Sequence, residues 1–181
     1  MNNTKLMRRL LYIAVPIFLI SLAWFVSLVK DKILPEKPVH YHAGFIVIKD
    51  NQQVSFSDQK YMSIKPCVLD KAKNHEDSEE DTQREKAHLH DSIGDVVHVE
   101  ARGAKWKDLF TNITYDLNYA EVEAYINGKK VTNFQDSTIW PYDSLVAFVG
   151  NGNNVNNFLS RAVTKKHIQE VASKSEDCGE S

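Results

Sequence analysis

From residue 40 onward the chain alternates short apolar runs with polar punctuation, and the spacing inside each run predicts its conformation. The run HYHAGFIVI, residues 40–48, is followed by the turn-prone Lys49-Asp50-Asn51-Gln52 and then Gln53-Val54-Ser55-Phe56, which predicts a hairpin. Side chains alternate across a strand, so His40, His42, Gly44, Ile46 and Ile48 share one face, polar at one end and apolar at the other. In KAHLHDSIGDVVHVEA, Ser92-Ile93-Gly94-Asp95 reads as a turn and residues 96–101 as a strand. His98 and Glu100 then lie on one side of that strand, Val97 and Val99 on the other, and the hairpin brings His88 or His90 opposite His98.

Trp106, Leu109, Phe110 and Ile113 recur at helical spacing and predict a short helix whose apolar side covers a sheet. Residues 121–126 alternate, Asn127-Gly128 is a strong two-residue hairpin turn, and Lys129-Lys130-Val131-Thr132 returns. Another strand is predicted at residues 144–150, its start marked by Trp140-Pro141-Tyr142-Asp143, and a helix at residues 158–172. These elements predict a strand-rich α+β fold, a single domain of hairpins with one or two short helices. About 140 residues suffice for one core and hardly for two.

The N-terminal segment has a different pattern. Residues 10–29, LLYIAVPIFLISLAWFVSLV, are uncharged and long enough to cross a bilayer as a helix, with Lys5, Arg8 and Arg9 upstream. Residues 1–30 therefore read as a cytoplasmic N-terminus and one transmembrane anchor, with the rest of the chain extracytoplasmic. Ser21-Leu22-Ala23 has the form of a cleavage site, but Trp24 to Val29 continue the apolar stretch, which favours an uncleaved anchor. Pro16 bends such a helix without breaking it. Residues 31–38, DKILPEKP, form a short linker to the domain at 39–172. Within it, residues 74–86, NHEDSEEDTQREK, hold no apolar side chain and six acids against two bases, and read as a solvated acidic loop. Residues 173–181 read as a disordered tail.

Charge narrows the partners. The formal net charge is −2, and without the three basic residues that precede the apolar run the remainder carries −5. No basic stripe with interleaved aromatics is present, which argues against nucleic acid.

The chemistry lies in the histidines. Five of the seven fall in strand-spaced pairs: His40 with His42, His88 with His90, and His98 two residues before Glu100. Each pair, if extended, points both groups to one side, and neutral imidazole is a ligand for zinc and copper. All five are candidate metal ligands, with Asp91 and Glu100 as further ligands or as acceptors that orient an imidazole through its other nitrogen. His75, in the charged stretch, and His167, on a polar helix face, read as solvated side chains. Cys67 can be a metal thiolate or can pair with Cys178 as a disulfide, which an extracytoplasmic location permits. The chain contains no C-x-x-C, so a thioredoxin-type exchange site has no local support.

Taken together, HYHAGFIVI, a cysteine ahead of AHLHDSIGDVVHVEA, the WKDLF helix and VEAYINGKKV followed by IWPYDSLVAFVG resemble a family of bacterial and archaeal membrane-anchored extracytoplasmic proteins. The similarity covers most of residues 40–150. It puts His40, His42, His88, His90, His98, Asp91 and Glu100 on the family's motif positions, with Cys67 a further match. Some members carry a disulfide-isomerase label. This chain departs from the pattern in its long acidic insertion between Cys67 and His88.

The leading expectation is a membrane-anchored module that binds copper or zinc outside the cell membrane, with the choice between a binding module and an enzyme left open. A zinc hydrolase, with Glu100 or Asp91 as general base, is the alternative from another class, and a thiol-disulfide or assembly factor using the two cysteines is a third. No protein partner is legible.

Overall fold

The structure is a computed structural model that describes Ser21, Trp24 and residues 39–63, 79–150 and 155–174. The chain divides into two compact units, Met1–Lys37 and Pro38–Ser181. Of the first, Ser21 and Trp24 alone are described, both helical and exposed. The rest of the expected anchor, the linker at 31–38, His75, Cys67, Cys178 and most of the tail lie outside the described residues. Among the described residues, no helix is long and apolar enough to cross a membrane.

The second unit is a mixed α+β domain built on a six-stranded sheet. Its elements are β1 (Tyr41–Lys49), β2 (Gln52–Gln53), α1 (Glu79–Lys86), β3 (Val96–Val99), α2 (Trp106–Asn112), β4 (Val122–Ile126), β5 (Lys129–Val131), β6 (Ser144–Val149), α3 (Val155–Leu159) and α4 (Lys165–Ala172). The order is β2-β1-β6-β4-β5, with β3 also paired to β1. β1 thus has β6 on one edge and shares the other between β3, along residues 41–44, and β2, along residues 48–49.

The predicted hairpins are present. At the first, Asp50 and Asn51 both take positive φ, the geometry whose twist suits a two-residue hairpin, but the ladder into β2 is only two residues long. At the second, Asn127 and Gly128 take positive φ, and the Asn127 side chain binds both the Asp143 carboxylate and the backbone N–H of Ser144.

Alternation sorts the sheet into two faces. Ala43, Phe45, Val47, Val97, Val99, Leu145 and Ala147 pack with Trp106, Leu109 and Phe110 of α2 and with Ile113. Each of those large side chains is almost wholly buried, worth about 1.5–3 kcal/mol apiece. Ile46, Ile48, Val96, Val146 and Phe148 face the other way, under Phe158 of α3 and Ile168 and Val171 of α4. Val163, between those two helices, sits so close to Gly44 that a Cβ added there would lie 2.4 Å from the Val163 Cβ.

Two segments differ from expectation. The second part of the acidic stretch is not a loop: residues 79–86 form α1. Gln83 donates to Asp108 and Asn112, and the Asn112 amide donates to the carbonyls of Gln83 and Ala87, so contacts to α2 fix a helix that has no apolar side. Residues 158–172 are not one helix either. The first stops at Leu159, and Thr164 caps the second, its hydroxyl accepting from the His167 N–H at 3.2 Å.

Candidate metal centre

Register assembles the histidines. β1 and β3 pair antiparallel with His42 opposite His98, and His88 bridges the far side of β3, exchanging two backbone hydrogen bonds with His98 at 2.9 and 3.0 Å. Three neighbouring extended segments therefore set His88, His98 and His42 in one row on one face. The period of two places His40 and Glu100 one step along that face, and His90 one step the other way. Beyond them the same face turns apolar, at Ile46 and Ile48, as the alternation predicts.

The rings touch. His98 lies between His40 and His88, nearly parallel to both, with centroids 4.4 and 4.9 Å away. His42 meets it edge-on at 4.9 Å and His90 at 4.8 Å. His42, His88 and His98 are buried, whereas His40 is exposed.

Hydrogen bonds determine which nitrogens carry lone pairs. An ionised carboxylate only accepts, so Asp91 requires the proton of His90 on Nδ1, at 2.5 Å from Oδ2. In neutral His90, Nε2 is then an acceptor, and at 2.8 Å it takes the Nδ1–H of His98. Neutral His98 is left with its lone pair on Nε2, which lies 3.4 Å from Oε1 of Glu100. His88 donates Nδ1–H to the Arg84 carbonyl at 3.1 Å and likewise keeps its lone pair on Nε2. Both are the arrangements in which a second contact orients a ligating imidazole.

The electrostatics agree with a cluster crowded with basic nitrogens. Burial, reinforced by His98, pushes the His88 pKa down to about 4, so this ring is neutral through the physiological range. Glu100 is held below its usual range, first by a hydrogen bond from His98, a contact in which a proton on Nε2 of His98 is the donor.

Two groups of three have donor atoms within 4.8 Å of one another: His40, His42 and His98, and His88, His98 and Glu100. Both can hold a metal ion. His90 and Asp91 belong to neither and act through His98. Cys67 and Cys178 lie outside the described residues. His167 is not merely solvated, since its ring meets Asp95 at 3.1 Å, half-exposed and apart from the cluster. The Arg84 carbonyl, which sets the tautomer of His88, had no signal in the sequence because it acts through the backbone. A cavity of about 220 Å³ adjoins His88, lined by Tyr61, Ser63, Arg84 and Asn112 among others.

Comparison with protein-family models, with curated proteins and with solved structures returns no match. Function therefore rests on this geometry.

Proposed function

We propose that this chain is a membrane-anchored protein that binds copper or zinc on the histidine face of a domain held outside the cell membrane. The observation that carries the metal reading is the His98–Glu100 contact. When His90 and His98 are both neutral, an imidazole lone pair and a carboxylate oxygen approach to 3.4 Å, and a cation between them, a metal ion or a proton, makes that favourable. Two ligands about 2.0–2.1 Å from a tetrahedral zinc ion are themselves roughly 3.3 Å apart, so the pair stands at ligating separation. Imidazole donors with one carboxylate suit Zn(II) or Cu(II) rather than magnesium or calcium. Anchoring rests on the apolar run at 10–29 and its basic flank, and the resemblance of the histidine blocks to the membrane-anchored family belongs to the same proposal.

The rival occupant of the gap is a proton on Nε2 of His98, with the imidazolium charge on His98 beside Glu100 or on His90 beside Asp91. Metal analysis and calorimetric titration of the full-length chain in detergent separate the two. Tight binding of Zn(II) or Cu(II) at pH 7.5, lost in a His88→Ala/His90→Ala double variant and kept in His167→Ala, is expected. Equal weak binding by all three proteins would establish the proton reading.

One observation favours a second reading, a zinc hydrolase. The cavity beside His88 gives a substrate a place against one of the candidate ligands, and in a zinc hydrolase a metal-bound water would be the nucleophile. Zinc-dependent turnover of ester or phosphoester substrates, abolished in His88→Ala, would favour it over a binding module.

A further inference from the structure

The two candidate groups overlap in one residue, His98, and differ in everything else. His98 has two nitrogens, but Nδ1 is committed to His90 by the chain of hydrogen bonds that begins at Asp91. A bridging His98, with an ion on each nitrogen, would have to break that chain. While that chain holds, Nε2 is the one lone pair His98 offers to either group, and a lone pair holds one ion at a time.

The groups also differ in access and charge. The outer one, His40, His42 and His98, includes an exposed ring and is made of neutral donors alone. The inner one, His88, His98 and Glu100, contains two buried imidazoles and a carboxylate, which attracts a divalent ion more strongly than a third neutral donor does. The rings of His40, just ahead of β1, and of His88, across β3 from β1, lie against His98 from opposite sides, so the two sets flank it.

Resting on the metal-binding reading, we propose that the face is a two-position relay: one Zn(II) or Cu(II) ion is taken up at the outer triad and passed to the inner one by exchanging His40 and His42 for His88 and Glu100 about His98 Nε2. Ligand exchange about a shared donor lets the ion move without ever being released to water. No bond other than metal–ligand bonds changes and no electrons move, so the step balances with either ion. The chemistry fits acquisition from, or delivery to, another metal carrier that docks where His40 is exposed.

The test is copper stoichiometry and electron paramagnetic resonance of the full-length chain with its His40→Ala, His88→Ala and His98→Asn variants. The asparagine amide keeps a donor for His90 while deleting the Nε2 ligand, and circular dichroism verifies the fold of each variant. Expected is one Cu(II) per wild-type chain and one per chain in both His40→Ala and His88→Ala. Those two variants should give different spectra, all-nitrogen when His88 is lost and mixed nitrogen–oxygen when His40 is lost. His98→Asn should weaken binding by more than the roughly 100-fold that loss of an orienting partner costs. Extraction by an external chelator should be slower from His40→Ala than from the wild type, because the exit triad is gone. Two ions per wild-type chain, retention of tight binding in His98→Asn, or identical spectra and extraction rates in the two single variants would each overturn the relay while leaving metal binding intact. A wild-type chain that binds no copper or zinc would instead overturn the metal reading beneath it.

Discussion

At the scale of single residues, the site depends on Asp91 although it is outside both ligand groups. Its carboxylate holds the His90 proton on Nδ1, and through neutral His90 this sets the tautomer of His98. Asp91→Ala is expected to lower metal affinity by about 10–100-fold with little change in fold, measured by competition against a chelator of known affinity. An unchanged affinity would show that His98 does not need the chain of hydrogen bonds. His88 supplies a pH prediction for the metal-free protein. Its folded pKa, about 4, lies below the unfolded value of about 6.5. Stability is therefore fully present above pH 6.5 and is lost as pH falls toward 4, by a total on the order of 3 kcal/mol. Urea melts between pH 7 and 4 should show that slope, and His88→Gln should flatten it. The alternation of His40 with His42 and of His98 with Glu100 was enough to place these residues on one face. What it could not convey was which ring faces which, since that comes from the His42–His98 and His88–His98 registers, nor the tautomers, since one of them is set by the carbonyl of Arg84.

Among the elements, those legible in the sequence are those whose cause is local. Asn127-Gly128 takes positive φ on its own account, and the apolar spacing of Trp106, Leu109, Phe110 and Ile113 defines α2 without reference to neighbours. The helix α1 was not legible. Its partners Asp108 and Asn112 lie 25 to 29 residues away, and its own sequence has no apolar stripe to predict a buried side. The break between α3 and α4 had a signal in Thr164, masked by the apolar periodicity that continues through Val163 and Ile168. That break matters to the sheet, because it lets Val163 descend onto Gly44, two residues from His42. Gly44→Ala should destabilise the domain by about 1–3 kcal/mol through overpacking, read as a shift in urea midpoint. Pairing it with Val163→Ala should recover part of the loss, because the two changes meet in one space. Strict additivity would mean that the close approach is relieved elsewhere.

For the whole molecule, an ion that binds only the folded state raises stability by mass action. At free metal 100-fold above the dissociation constant the gain is about 2.7 kcal/mol. A thermal melt of the full-length chain should move up by several degrees with Zn(II). His88→Ala/His90→Ala should lose that shift. His167→Ala should keep it, since the half-exposed pair with Asp95 contributes at most about 1 kcal/mol and touches no ligand.

The parallel pairing of β1 with β6 bears on the order of events as the chain is made. Every partner in that ladder, from Gly44 with Ser144 to Lys49 with Val149, is separated by 100 residues. At about 5–20 residues per second, a nascent β1 waits roughly 5–20 s for its neighbour to be synthesised. During that wait, Phe45, Ile46, Val47 and Ile48 lack the strand that will flank them. His42 and His98 can be synthesised well before the sheet can close around them, so metal capture is expected to follow completion of β6. Pulse-labelling hydrogen exchange during refolding should find the amides of β1 and β6 protected together and late, with zinc retention appearing in the same phase.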